Sequence, residues 1–180
     1  LADRVAIAVD SLGALAERGV ALGPLTTYRV GGPAAVFVRA RTSEDLVRVG
    51  VAARESGLDV LPIGRGSNML IADAGFDGIA VTLVDDTIDI DPSGAVVTAS
   101  AGSALPVVAR KTAAAGLTGF EWAVGVPGSI GGAVRMNAGG HGSDPAGWLI
   151  GVASVDVAAR CERTVAERDI DPSFRPRALP

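Results

Sequence analysis

The chain has 180 residues with 16 basic and 20 acidic side chains, a formal net charge of −4 and 48% apolar residues, enough to build one medium domain or two small lobes around a real core. Lys111 is the sole lysine, no Lys/Arg block occurs and aromatics are 4%, so there is no nucleic-acid footprint; one cysteine (Cys161) and one histidine make neither a disulfide framework nor a metal cluster. No run approaches the roughly 20 apolar residues of a membrane span, and the acidic N-terminal segment does not read as a secretory signal; with a lone cysteine, this fits a reducing, cytoplasmic setting.

In chain order, residues 1–18 read as an amphipathic helix with Val5, Val9, Leu12 and Leu15 on one stripe and Gly19 as its stop. The segment AVFVRA, from Ala35 to Ala40, reads as a strand. Ser43 is placed to cap a helix that runs through Leu46, Val47, Val49 and Val51 to Gly57. DVLPIG is a short buried strand, GRGSNMLI a loop, and GIAVTL, from Gly78 to Leu83, another strand. TIDIDPSGAVVTASAG alternates as a hairpin around Pro92, Ser93 and Gly94. Ser103 is placed to cap a helix over ALPVVARKTAAA closed by Gly116, with Pro106 in its first turn, where a missing N–H costs little. LIGVASVDV is the last strand. The pattern predicts an α+β chain with an N-terminal helical segment (1–21), a first lobe (22–85) and a second lobe (86–180).

Three segments carry chemistry. In PIGRGSNMLI a strand ends and Gly64 and Gly66 open a tight turn, with Ser67 and Asn68 beside exposed amides. A concave run of N–H groups suits a phosphate or pyrophosphate, and Arg65 adds one charge. The turn lacks the Gly-Lys-Ser/Thr of a P-loop and the long helix of a dinucleotide fingerprint. A glycine-rich β-turn without a ligand is the other reading of this piece. In VGVPGSIGGAVRMNAGGHG, Ser129 starts a short helix whose N-terminal amides attract anions. Gly131 and Gly132 either let backbone touch a flat or anionic group or let a helix pack closely on a sheet. Residues 137–142 form a second tight turn. In TTYRVGGPA, Tyr28 and Arg29 are placed to flank a ring or phosphate, or lie in a plain surface loop.

These segments, in this order, resemble the UDP-N-acetylenolpyruvoylglucosamine reductase family, flavoproteins that share the vanillyl-alcohol-oxidase (PCMH) type FAD-binding fold. The resemblance rests on TTYRVGGPA, PIGRGSNMLIADAGFDGIAV, GLTGFEWAVGVPGSIGGAVRMNAGGHGSD and, more weakly, SFRPRAL. It extends over the chain from about Leu22 onward. It implies FAD held noncovalently between two α+β lobes. Gly64, Arg65, Gly66, Ser67 and Asn68 would line the pyrophosphate together with Pro127, Gly128, Ser129, Gly131 and Gly132. Asn137, Gly139, Gly140, His141 and Gly142 would complete the second loop, with His141 hydrogen-bonding rather than covalently linked to the flavin. The glycines of the second segment would then clear space for the cofactor.

The resemblance also implies the reaction. NADPH would donate a hydride to FAD, and the reduced flavin would reduce the enolpyruvyl ether of a UDP-sugar during peptidoglycan precursor synthesis. A serine would protonate the carbon, and an arginine and a glutamate would polarise the substrate carboxylate. Arg175 matches that arginine, although Phe174 stands where tyrosine is usual and Arg177 where serine is usual. No residue matches the proton-donating serine or the glutamate, which the family carries in a third lobe. The chain is therefore expected to be the FAD-binding portion, incomplete for catalysis. A nonenzymatic or degenerate flavin-binding module and another FAD oxidoreductase of the same fold remain as alternatives.

Overall fold

The computed structural model describes residues 1–156 and 161–166. The chain divides into two compact units whose bodies are Leu1–Val84 and Asp85–Val152.

In the first unit, helix α1 (Ala2–Leu12) is shorter than its apolar stripe predicts. Gly13 takes φ 57° and its N–H donates to the Val9 carbonyl, which ends the helix; Leu15 belongs to a 3-10 turn, Gly13–Leu15. Strand β1 (Glu17–Ala21) follows, and Gly19 lies inside it instead of stopping a helix. ERGVA has little apolar alternation of its own. It is a strand because it pairs antiparallel with β2 (Pro33–Ala40), Arg18 opposite Val36 and Val20 opposite Ala34. Helix α2 (Ser43–Ser56) is capped one residue earlier than expected. The Thr42 hydroxyl accepts from the Asp45 N–H at 3.1 Å and the Asp45 carboxylate accepts from the Thr42 N–H at 3.3 Å, a reciprocal capping box. Gly57, at φ 65°, closes the helix as predicted.

Strands β3 (Val60–Ile63) and β4 (Phe76–Leu83) complete a sheet of order β1-β2-β4-β3, with β4 parallel to both of its neighbours. Both faces of the central strands are buried. Val36, Val38, Ala40, Ile79 and Val81 meet Ala8 and Leu12 of α1 and Val49 and Ala52 of α2. On the opposite face Ala34, Phe37 and Ala80 pack with Leu22, Ile63 and Ile71. Ala34 joins Phe37, breaking the period of two, because the register against β4 shifts between Ala34 and Val36. The helices cover one face, while Leu22 and Ile71 come from the loops that cover the other.

In the second unit, β5 (Ile88–Asp91) and β6 (Val96–Ala99) form the predicted hairpin. Its turn is held by the Asp91 carboxylate, which accepts from the Ser93 N–H at 3.0 Å and from the Ser93 hydroxyl at 2.6 Å. Helix α3 (Leu105–Ala114) has Pro106 in its first turn, but Ala104 occupies the cap position. The expected cap, Ser103, instead donates its hydroxyl to the Thr87 carbonyl at 3.2 Å. Helix α4 is short (Ile130–Met136). Leu105, Ala109, Trp122, Ala123 and Ala133 form this unit's core. Strands β7 (Gly151–Asp156) and β8 (Cys161–Ala166) make a separate two-stranded sheet.

Candidate functional site

The first candidate segment leaves the carboxyl end of β3, the edge from which open sheets with parallel strands present ligand-binding loops. Gly66 takes φ 65°. A Cβ at Gly66 would collide with the Leu25 carbonyl oxygen and stand 2.7 Å from the Thr26 Cα. The Thr27 N–H donates to the Gly66 carbonyl at 3.1 Å, so the turn is docked backbone to backbone on residues 25–27. Thr26 is buried; its hydroxyl donates to the Gly23 carbonyl at 3.0 Å and accepts from the Arg29 N–H at 3.1 Å. That pair of bonds shapes the 23–29 turn, in which Arg29 takes φ 55° and the Tyr28 ring stays exposed. The predicted residues Tyr28 and Arg29 are thus brought beside the 64–68 turn by backbone pairing. Thr26, which holds them there, was not anticipated.

The N–H groups of Arg65, Gly66 and Asn68 make no hydrogen bond to the described residues, and Gly64, Arg65 and Asn68 are exposed. A left-handed glycine among free amides is the backbone geometry of an anion-binding concavity.

The second segment is built differently. Ser129 caps α4 as predicted, its hydroxyl accepting from the Gly132 N–H at 3.2 Å. The other amides at that helix start are engaged as well: Ile130 donates to the Ser103 carbonyl and Gly131 to the Ala101 carbonyl, both at 2.9 Å, and Ala133 to the Ser129 carbonyl at 2.8 Å. Through the Ile130 and Gly131 amides the chain pins the start of the helix onto residues 101–103, while those of Gly132 and Ala133 close on Ser129. Gly131 is glycine because a Cβ would stand 2.8 Å from the Ala101 Cβ. Gly128 donates no hydrogen bond to the described residues, and its carbonyl accepts from the Leu105 N–H at 3.0 Å.

Asn137 ends α4 at φ 44°. Both ends of its amide are engaged, Nδ2 donating to the Asp144 carboxylate and Oδ1 accepting from the Ala146 N–H, each at 3.1 Å. Gly140 and Ser143 exchange backbone bonds of 2.9 and 3.1 Å. At Gly139 a Cβ would stand 2.7 Å from the Asp144 Cβ, whereas Gly142 faces open space. The glycines of this segment thus serve two ends, and Gly131 and Gly139 clear room for the chain's own backbone. Asp144 was missed; the Asp-Pro step at residues 144–145 was its sequence signal. Glu121 was missed too. Its carboxylate accepts from the Thr118 hydroxyl at 2.8 Å and the Gly119 N–H at 2.6 Å. Its own backbone N–H, then these two donors, hold its pKa below the ordinary value of 4.5. Arg175 lies outside the described residues, and no group of potential metal ligands occurs among the described ones.

No helix among the described residues is long and apolar enough to cross a membrane. The family model described as "FAD binding domain" matches residues 33–160. Over 164 residues the chain is 38% identical to the UDP-N-acetylenolpyruvoylglucosamine reductase of Synechococcus sp. (strain RCC307), covering 91% of this chain and 54% of that protein. It is 49% identical over 127 residues to the reductase of the same name from Acidiphilium cryptum (strain JF-5), covering 69% of this chain and 40% of that one. The crystal structure of the Thermus caldophilus enzyme (MurB) matches with a TM-score of 0.69 at 31% identity, over 85% of this chain and 53% of that one. A glucooligosaccharide oxidase from Acremonium strictum shares the fold alone, with a TM-score of 0.56 at 21% identity over 76% of this chain and 30% of that one. The chain spans about half the length of the curated relatives it matches. Its architecture is the α+β, vanillyl-alcohol-oxidase (PCMH) type FAD-binding fold. From the matched residues and the shared fold, the chain belongs to the FAD binding domain family and is similar to the FAD-binding portion of the UDP-N-acetylenolpyruvoylglucosamine reductases.

Proposed function

We propose that the chain binds FAD noncovalently and is the cofactor-holding part of a cytoplasmic reductase. That enzyme would use NADPH to reduce the enolpyruvyl ether of UDP-N-acetylglucosamine enolpyruvate, giving UDP-N-acetylmuramate. In this reading residues 22–85 and 86–180 are the two FAD-binding lobes. The observation that carries it is the 64–68 turn, where the exposed amides of Arg65 and Asn68, which make no hydrogen bond to the described residues, flank a left-handed Gly66 at the end of a parallel strand. The residues fit a pyrophosphate: amide donors compensate anionic charge in a chain whose net charge is −4. Arg65 supplies a cation, Asn68 and Ser67 supply side-chain polar groups, and Tyr28 and Arg29 flank the turn. Pro127, Gly128, Ser129, Gly131, Gly132, Asn137 and the 139–142 turn are assigned to the same cofactor by the family resemblance. Bound FAD supplies hydride-carrying chemistry; the residues named here hold and orient it. Arg175 is assigned to polarising the substrate carboxylate.

The test is a visible spectrum of the purified chain after incubation with FAD and gel filtration. A flavin spectrum travelling with the protein, released as free FAD on denaturation, is expected; bleaching by NADPH then tests the hydride half-reaction. A protein that remains colourless overturns the assignment, and flavin that stays attached after denaturation overturns noncovalent binding.

A further inference from the structure

We propose that residues 137–148 form a clasp in which His141 and Trp148 are positioning residues. They hold the 119–125 turn in place and thereby the Pro127–Gly128 backbone that follows it; the consequence for the cofactor rests on the FAD reading above.

The loop first closes on itself. The Asn137 side chain bridges Asp144 and Ala146, and Gly140 pairs with Ser143. The closed loop then aims two rings. Trp148 donates its Nε1–H to the Ser143 hydroxyl at 2.9 Å, and its ring lies where a Cβ on Gly119 would be. The His141 Nε2 stands 3.3 Å from where a Cβ on Gly125 would be. Gly119 and Gly125 bracket the short 3-10 turn Glu121–Gly125, so the two rings of one loop land on both ends of another. A third contact extends the reach, because the Val126 side chain stands 3.0 Å from the Cβ position of Gly140. His141 takes φ 54° without being glycine. Such a conformation costs about 1 kcal/mol or more and persists only where the surroundings enforce it. The inner side of the turn is anchored by buried Trp122 and Ala123, while Val124 is exposed; the clasp supplies the outer restraint.

The experiment is hydrogen exchange of the whole chain, with and without FAD, for wild type, Trp148→Ala, His141→Ala and the milder Ser143→Ala, with Ile7→Ala on α1 as a control. Amides of residues 119–128 are expected to exchange about tenfold faster in Trp148→Ala and His141→Ala, less so in Ser143→Ala, with β2 unchanged. The FAD dissociation constant should rise about tenfold in Trp148→Ala and recover in Trp148→Phe, which keeps the ring over Gly119. Unchanged exchange across 119–128 overturns the clasp whether or not FAD binds. Faster exchange with an unchanged dissociation constant overturns the positioning role. A wild type that binds no FAD but shows the faster exchange in its variants keeps the clasp and removes only the cofactor reading.

Discussion

Arg48 on α2 donates from Nη2 to the carbonyl of Leu12, the last residue of α1, at 2.7 Å. The converse bond also exists: Arg4 on α1 donates from Nε to the carbonyl of Ser56, the last residue of α2, at 2.9 Å. Each helix therefore satisfies an orphan C-terminal carbonyl of the other and places a cation at the negative end of its dipole. The two glycines that end these helices, Gly13 and Gly57, lie beside the same two guanidinium groups. Arg4→Ala and Arg48→Ala should each lower unfolding free energy by about 1 kcal/mol in urea titrations. A variant within about 0.3 kcal/mol of wild type would show that its bond contributes nothing.

Glycines of the candidate loops should separate by what they face. Gly66→Ala places a methyl against the Leu25 carbonyl at a left-handed backbone, and Gly142→Ala meets only open space at φ 83°. Gly142→Ala should cost about 1 kcal/mol from backbone strain alone. Gly66→Ala should cost at least about 2 kcal/mol and lose most FAD affinity, since the docked turn must move. Equal costs in thermal unfolding would contradict this division.

Trp122 contributes a buried ring to the core of the second unit, in edge-to-face contact with Phe120 at a centroid distance of 5.3 Å. Its Nε1–H is buried without a hydrogen-bond partner among the described residues. An unmet buried donor costs about 1–3 kcal/mol, which offsets part of what the ring's burial contributes. Trp122→Phe should therefore stay within about 1 kcal/mol of wild type despite the smaller ring. Trp122→Ala should cost about 3–5 kcal/mol. A Phe variant as damaged as the Ala variant would mean that the N–H is satisfied in solution.

Acid should loosen the turns of the second unit. The Thr87 hydroxyl and N–H hold the Asp85 carboxyl below its ordinary value of 3.8, and the Ser93 hydroxyl does the same for Asp91. Glu121 is lowered as well. A carboxylate whose folded pKa is depressed stabilises the fold fully above its unfolded value, and that stability is lost as pH falls through the folded value. Melting temperatures measured from pH 7 downward should hold level until about pH 4 and then fall. The fall should be shallower in an Asp85→Asn, Asp91→Asn double variant; an unchanged slope would assign acid sensitivity to other groups.

Local signals were legible where a few neighbouring residues decide the outcome. The Asp91–Ser93 turn, the Ser129 cap and the Gly57 stop each rest on side chains within four residues. β1 was not legible, because ERGVA becomes a strand only through its partner β2. The apolar stripe from Val5 to Leu15 overran the true end of α1, where Gly13 turns left-handed. Thr42 displaced Ser43 as a cap because Asp45 reciprocates from the correct distance.

The glycine-rich segments and their order carry the resemblance to the FAD-binding family, and close backbone approach needs residues without a Cβ wherever it occurs. What each glycine approaches is a different matter. Gly66 yields to Leu25, Gly131 to Ala101 and Gly119 to Trp148, partners between 29 and 41 residues away in the chain. The sequence by itself determined that the backbone must come close to something at these positions. Only the tertiary structure decided that the something is in several cases the chain itself, because that depends on which distant segments the sheet and the α4 cap bring together.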